Sequence, residues 1–289
     1  AQGYEGAILG ARAAYIGGCI GTANTIVDRD YGIPAMGTMA HSWVQMFPTE
    51  LEAFRAYARI YPDSCTLLVD TYNTLGKGIP NAIKVFDEEV VPRGFRPKAV
   101  RIDSGDIAYL SKKARKMLDD AGYPDVKIMA SSSLDEFVIK DLITQGAQVD
   151  SFGVGERLIT AKSEPIFGGV YKLVAVEDNP GFKQVYRLYR NSDKKAIADV
   201  ITLHEEKIDE SGPYEIFHPL FTWKRTTLTD FHAKPLLVQL FRDGQCVYES
   251  PHVTEIRDIC KAEIDTLWDE VKRFERPHEY FVDLSQDLW

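Results

Sequence analysis

The chain has 289 residues, 45% of them hydrophobic and 27% charged, enough apolar side chain to bury a core and too much for a disordered segment, while no repeat supports collagen or coiled coil. Its 34 Lys and Arg stand against 43 Asp and Glu, a net charge of −9 that argues against a nucleic-acid footprint and leaves small anionic substrates open. No apolar run approaches the ~18 residues of a membrane helix, and four widely spaced cysteines without a CxxC pair point away from zinc and disulfide frameworks, toward a reducing cytoplasm.

Residues 4–16 are Ala-rich and predict a helix, and 21–32 a second that ends near Gly32. After Pro34 the short apolar run AMGTM (35–39) predicts a buried strand. Leu51, Phe54 and Ala58 recur at helical spacing over 49–60 behind a capping Thr49. TLLVD (66–70) predicts a strand, 81–90 a helix and AVRID (99–103) a strand. Over 107–121, Ile107, Leu110, Ala114, Met117, Leu118 and Ala121 share one helix face that Gly122 ends. KIMAS (127–131), a helix over 134–145 and SFGVG (151–155) continue the alternation, which implies a parallel sheet with right-handed crossovers. From 168 the texture changes. GGVYKLVAVED, KQVYRLYR and KAIADVITL read as antiparallel strands joined by turns at Asn179-Pro180-Gly181 and Asn191-Ser192-Asp193. Asp243-Gly244 signals a hairpin, and a last long helix carries Ile256, Cys260, Ile264, Leu267, Val271 and Phe274 on one stripe. The expected division is an α/β portion over 1–167 and a β-rich and helical portion over 168–289.

The polar residues gather at the predicted strand ends. The first strand runs into Thr38, His41 and Ser42, and the second ends at Asp70. The third carries Arg101 and ends in Asp103-Ser104-Gly105, the fourth ends in Ser131-Ser132-Ser133, and the fifth contains Gly153 and Gly155. In a parallel α/β barrel these ends open on one face, where active sites sit. SFGVGER suits a loop whose bare amides approach a phosphate ahead of a helix, or a plain tight turn. Asp70 and Asp103 suit Mg²⁺, a helix cap or a salt bridge. Arg101 shares a pleat face with Asp103 and pairs with Asp70, with Asp103 or with an anionic substrate. A lone histidine is most often structural. The setting of His41 beyond a strand favours a base or a phosphate-accepting nucleophile over a metal ligand.

These motifs resemble a known family. RAAYIGG (12–18), GIPAMGTMAHS (32–42), LVDTYN (68–73), RIDSGD (101–106), ASSSLDE (130–136), FGVGERL (152–158), GGVYKL (168–173) and KRFERPHEYFVDLS (272–285) are similar, in order, to nicotinate phosphoribosyltransferases. The resemblance implies the type II phosphoribosyltransferase fold, an irregular TIM-like α/β barrel, here followed by a β-rich and helical portion. It implies transfer of ribose 5-phosphate from phosphoribosyl pyrophosphate (PRPP) to nicotinate, giving nicotinate mononucleotide and pyrophosphate for NAD salvage. ATP hydrolysis would be coupled through a phosphohistidine at His41, with Mg²⁺ at Asp70 and Asp103. Arg101 would meet the nicotinate carboxylate, Asp103 the ribose or the Mg²⁺–pyrophosphate, and Ser131, Ser132, Gly153 and Gly155 the 5-phosphate; Thr38, Ser42, Ser104 and Gly105 complete the expected substrate-binding set.

Family members carry an N-terminal domain ahead of the stretch that matches Ala1, with an Arg-Arg pair for nicotinate and a ring-stacking aromatic from a partner subunit. The expectation is therefore a chain lacking that domain, from a cytoplasmic homodimer with a shared active site and with no nucleic-acid or membrane partner. Two rival readings are a nicotinamide-specific relative and a non-catalytic fragment that binds phosphoribosyl ligands.

Overall fold

The computed structural model describes residues 3–166, 168–172, 183–203, 208–218 and 221–285. Contacts divide the chain into two compact units, one of residues 1–15 and 19–166 and the other of residues 16–18 and 167–289.

The first unit opens with α1 (Gly3–Ile16), α2 (Thr25–Tyr31), α3 (His41–Gln45) and α4 (Glu50–Ile60). Local chemistry sets their starts: Asn24 Oδ1 accepts from Ile26 N at 3.1 Å, and Thr49 Oγ1 accepts from Glu52 N at 3.2 Å. Gly32, at φ 66°, closes α2 in the left-handed conformation. β1 (Thr66–Leu68) follows, and then a helical stretch wider than the predicted 81–90. Its regular part, α5 (Ile79–Val85), is flanked by π-type turns over Thr74–Gly78 and Phe86–Val90. Then come β2 (Ala99–Ile102), α6 (Ile107–Asp120), β3 (Lys127–Ala130), α7 (Glu136–Thr144), β4 (Ser151–Phe152) and the single turn α8 (Glu156–Ile159). Asp106 caps α6 through Tyr109 N at 2.9 Å, and Asp135 caps α7 through Val138 N at 2.8 Å.

The four strands pair in parallel in the order β1-β2-β3-β4, in register from Thr66↔Ala99 to Ala130↔Phe152. Leu67, Leu68, Val69, Val100, Ile102, Ile128 and Ala130 are buried and pack with Phe54, Phe86 and Leu118 from the helices. The α/β class with a parallel sheet thus stands. The strand predicted at 35–39 does not form. Only Ala35 pairs there, in a single parallel bridge to Thr22; Met36 lies 52% exposed, and the run enters the core through Met39 alone, without the pairing of a strand.

The second unit is β-rich, as predicted. β5 (Lys183–Arg190) pairs antiparallel with β6 (Ala196–Leu203) on one side and with β9 (Phe231–Pro235) on the other. β7 (Tyr214–His218) and β8 (Phe221–Leu228) form an antiparallel pair. β10 (Phe241–Arg242) and β11 (Gln245–Cys246) flank the predicted turn, where Asp243 and Gly244 take φ of 50° and 76°. After α9 (Val253–Thr266), β12 (Phe281–Leu284) adds in parallel to β6. Of the strand predicted over 168–178, residues 168–172 are irregular, and 173–178 lie outside the described residues together with the turn at 179–181.

α9 is shorter than its apolar stripe suggests. Lys195 Nζ binds the carbonyls of Asp265 and Leu267 at 2.7 and 3.1 Å, and the chain turns extended at Leu267. Beneath the helix Arg187 holds Asp199 and Glu263, each at 2.9 Å, while Lys234 reaches Glu263 at 2.7 Å.

Candidate active site

Backbone ladders run a residue or more past the strands of the first unit: Val69 N bonds Arg101 O at 3.1 Å, Ser131 N bonds Ile102 O at 3.0 Å, and Gly153 N bonds Ala130 O at 2.8 Å. Their C-terminal ends therefore stay in register where the polar residues begin. Arg101, third in β2, takes partners from three segments. Its Nε donates to Ser131 Oγ at 2.8 Å, one terminal nitrogen to Thr38 Oγ1 at 2.9 Å and the other to Asp103 Oδ1 at 3.0 Å. Of the alternatives for Arg101, the ion pair formed within the protein is with Asp103.

Asp103 is the node. Ser131 Oγ donates to its Oδ1, and His41 Nε2 lies 3.4 Å from its Oδ2. Burial alone would raise this carboxyl's pKa. Hydrogen bonds from Ser131 and Arg101, with the guanidinium charge, outweigh it and hold the carboxyl below the ordinary aspartate value. Asp103 is thus an anion at neutral pH, with one oxygen saturated and the other facing histidine.

His41 opens α3, and its Nδ1 lies 3.1 Å from Thr71 Oγ1. The tautomer that satisfies both neighbours carries the proton on Nε2, toward the carboxylate, and accepts at Nδ1 from the threonine hydroxyl. Thr71 escaped the sequence reading; its position directly after Asp70, at a strand end like the others, is the signal that identifies it.

Asp70 plays a different part. Its Oδ2 accepts from Asp103 N at 2.8 Å and from Ser104 Oγ at 2.7 Å, which fixes the start of the loop after β2. Its Oδ1 is buried with no partner among the described residues. Gly105, at φ 76°, lets the chain turn from that loop into α6.

The loop after β3 holds Ser131 buried, with Ser132 and Ser133 at φ of 104° and 47°. Such conformations cost on the order of 1 kcal/mol or more each in residues other than glycine, and they persist where the surroundings dictate them. Gly153 lies against this loop. A Cβ there would meet Met129 Cε at 3.1 Å and Ser131 Cβ at 3.3 Å, so the glycine permits the close approach. Gly155 precedes α8. Ser42 is the second residue of α3 and exposed. Direct bonds tie together Thr38, His41, Asp70, Arg101, Asp103, Ser104 and Ser131, whereas Ser132, Gly105, Gly153 and Gly155 shape the neighbouring loops.

Among the described residues no three His, Cys, Asp or Glu side chains cluster as a complete metal cage. Two hard carboxylates, one with an orphan oxygen, fit a hard cation such as Mg²⁺.

The sequence and the fold have counterparts in known proteins. Residues 4–190 match the model of the nicotinate phosphoribosyltransferase (NAPRTase) family, and residues 182–289 match the nicotinate phosphoribosyltransferase C-terminal domain. The chain belongs to the nicotinate phosphoribosyltransferase family. It is 42% identical over 303 aligned positions to the nicotinate phosphoribosyltransferase of Bacillus subtilis, covering 99% of this chain and 61% of that protein. With the Dictyostelium discoideum enzyme of the same name identity is 29%, over 100% of this chain and 60% of the relative. The chain thus spans about three fifths of the length of these two relatives. The crystal structure of human nicotinic acid phosphoribosyltransferase superposes with a TM-score of 0.79 at 26% identity, covering 100% of this chain and 67% of the human one. A nicotinate-nucleotide pyrophosphorylase from Pyrococcus furiosus, at 24% identity and a TM-score of 0.65, shares the fold. Family membership accounts for the resemblance carried by the GTMAHS, RIDSGD and FGVGERL motifs.

Proposed function

We propose that this chain carries the catalytic site of a nicotinate phosphoribosyltransferase, joining nicotinate to the ribose 5-phosphate of PRPP with release of pyrophosphate, in NAD salvage. The observation that carries the reading is the Arg101–Asp103–His41 network, fed by Thr38 from the irregular segment before α3 and by Ser131 and Thr71 from two strand ends.

Breaking the bond between the anomeric carbon and pyrophosphate leaves positive charge on the ribose and negative charge on the leaving group. A carboxylate kept ionised, as Asp103 is, stabilises the sugar cation more than the neutral ground state. Three N–H donors of Arg101 are engaged, and a guanidinium has five, so two remain for the nicotinate carboxylate. Bound Mg²⁺ would neutralise the departing pyrophosphate. Asp103 and Asp70 are the carboxylates that would hold it, and Asp70 also keeps the Asp103 amide in place. The loops at Ser131–Ser132 and Gly153–Gly155 suit the 5-phosphate by the small size of their residues and their bare amides.

ATP coupling runs through His41. In this proposal a ring nitrogen attacks the γ-phosphorus, the N–P bond forms as the bridging P–O bond breaks, and ADP leaves; water later returns the phosphoryl group as phosphate. Asp103 steadies the ring while that charge is present. The partners are then nicotinate, PRPP and ATP, and the acidic net charge of −9 weighs against nucleic acid. No helix among the described residues is long and apolar enough to cross a membrane. A cytoplasmic homodimer is the proposed setting, in keeping with a sequence whose four cysteines are widely spaced and include no CxxC pair. The reading is tested by offering nicotinate, nicotinamide and quinolinate in competition with PRPP and Mg²⁺. Nicotinate mononucleotide should dominate, and preference for either other acceptor would overturn it.

A further inference from the structure

We infer that Arg157 and Asp135 form a positioning strut that fixes the spacing between the loop after β3 and the loop after β4. The ligand side of this inference rests on the 5-phosphate reading above; the strut itself rests on geometry.

The two loops leave adjacent parallel strands, and the last backbone bond of that ladder is Gly153 N to Ala130 O at 2.8 Å. Beyond it the sheet no longer holds them together. Asp135 stands at the exit of the first loop and divides its carboxylate between two tasks. Its Oδ1 accepts from Val138 N at 2.8 Å and caps α7, while its Oδ2 accepts from a terminal nitrogen of Arg157, in the turn that follows the second loop. The side chains are 16% and 28% exposed, so the pair is partly shielded from water. A second tie, Ser163 Oγ to Glu136, joins the residue after Asp135 to the turn that follows α8.

Between the sheet and this pair lie Ser132 and Ser133, both left-handed, which would relax to ordinary backbone if the far end of the loop were free. The strut thus closes a frame: sheet at one end, ion pair at the other, strained serines and permissive glycines between. It also neutralises a carboxylate that would otherwise stand uncompensated close to a loop proposed to take a dianion.

Three variants that break the pair, with Arg157→Lys beside them, separate the strut from its competitors. Asp135→Asn keeps a side-chain oxygen for the α7 cap and loses the charge; Arg157→Gln loses the fork; the third combines them. Amide hydrogen exchange is read over peptides covering 131–135 and 153–157, with calorimetry against ribose 5-phosphate and a melting curve for each variant. A strut predicts faster exchange in both loops for either single change and about fivefold weaker ribose 5-phosphate binding. The double variant should be no worse than the weaker single one, and Arg157→Lys should recover part of the loss. Unchanged loop exchange at unchanged melting temperature would overturn the strut, as would additive effects. Tighter ribose 5-phosphate binding in Asp135→Asn beside weaker binding in Arg157→Gln would also overturn it, since that pattern means Arg157 acts on the ligand by charge. If the unsubstituted protein does not bind ribose 5-phosphate while the exchange pattern holds, the strut stands and the 5-phosphate reading fails.

Discussion

Asp103 shows how one side chain can be tuned by its neighbours against the penalty of its own burial. Its folded carboxyl sits below the value of the unfolded chain, so its interactions contribute stability above about pH 4 that is lost as pH falls through the folded value. The same sign sets the acid limb of activity: it should lie below the ordinary aspartate range and shift upward in Arg101→Lys, where the fork geometry is lost. A pH–rate profile checks both. His41 has a separable role. His41→Ala should abolish stimulation by ATP while leaving basal transfer, because Asp103 keeps Arg101 and Ser131 as partners. Full ATP stimulation in that variant, measured as product per ATP hydrolysed, would remove the histidine from the coupling.

At the scale of elements, the site depends on how tightly the segments after β1 are packed. A Cβ on Gly78 would lie 1.8 Å from the backbone oxygen of Val69, next to Asp70, and that carbonyl has nowhere to go within the core. Gly78→Ala should therefore destabilise by more than the ~1–3 kcal/mol of ordinary overpacking, read as a large fall in melting temperature. Much of this layer was legible beforehand. The Thr49 cap and the apolar face of α6 mark their helices, and four short apolar bursts mark β1 to β4, because both signals are local. Local signals failed where tertiary partners decide. AMGTM reads as a strand, yet the chain uses that stretch to deliver Thr38 to Arg101 and His41 to Asp103. The stripe of α9 runs on past Thr266, yet Lys195 draws the helix end to itself and His278 N bonds Glu270 O at 2.8 Å to fold the remainder back. The π-type turns around α5 carry no periodic signature at all.

For the molecule as a whole, the two units rest on different physics. The first has a broad apolar core between sheet and helices. The second has a smaller one and adds the Arg187–Asp199–Glu263–Lys234 ion network. Burial would raise the Glu263 carboxyl, but Lys234 and Tyr189 outweigh it and hold it below its usual value. Its contribution is thus present at neutral pH and is lost on acidification. Glu263→Gln should cost about 1–2 kcal/mol at pH 7 by urea melting, toward the low end because the group is partly exposed, and the difference should shrink near pH 4. The candidate site was more legible than the fold around it. Strand-end positions announce Asp70, Arg101, Asp103 and Ser131, and Thr71 shares that signal, whereas the pairing of Asp135 with Arg157, 22 residues apart and beyond the strand ends, carries none.

The most direct test compares the protein purified from its own cells with its Asp103→Asn variant, following nicotinate mononucleotide and pyrophosphate formed from nicotinate, PRPP, Mg²⁺ and ATP. Equimolar products are expected from the unsubstituted protein, and a loss of about 10²–10³ in turnover in the variant, which stays folded at assay temperature although its melting temperature falls with the lost Arg101 pair. Undiminished turnover in Asp103→Asn, or no product from the unsubstituted protein, would contradict it.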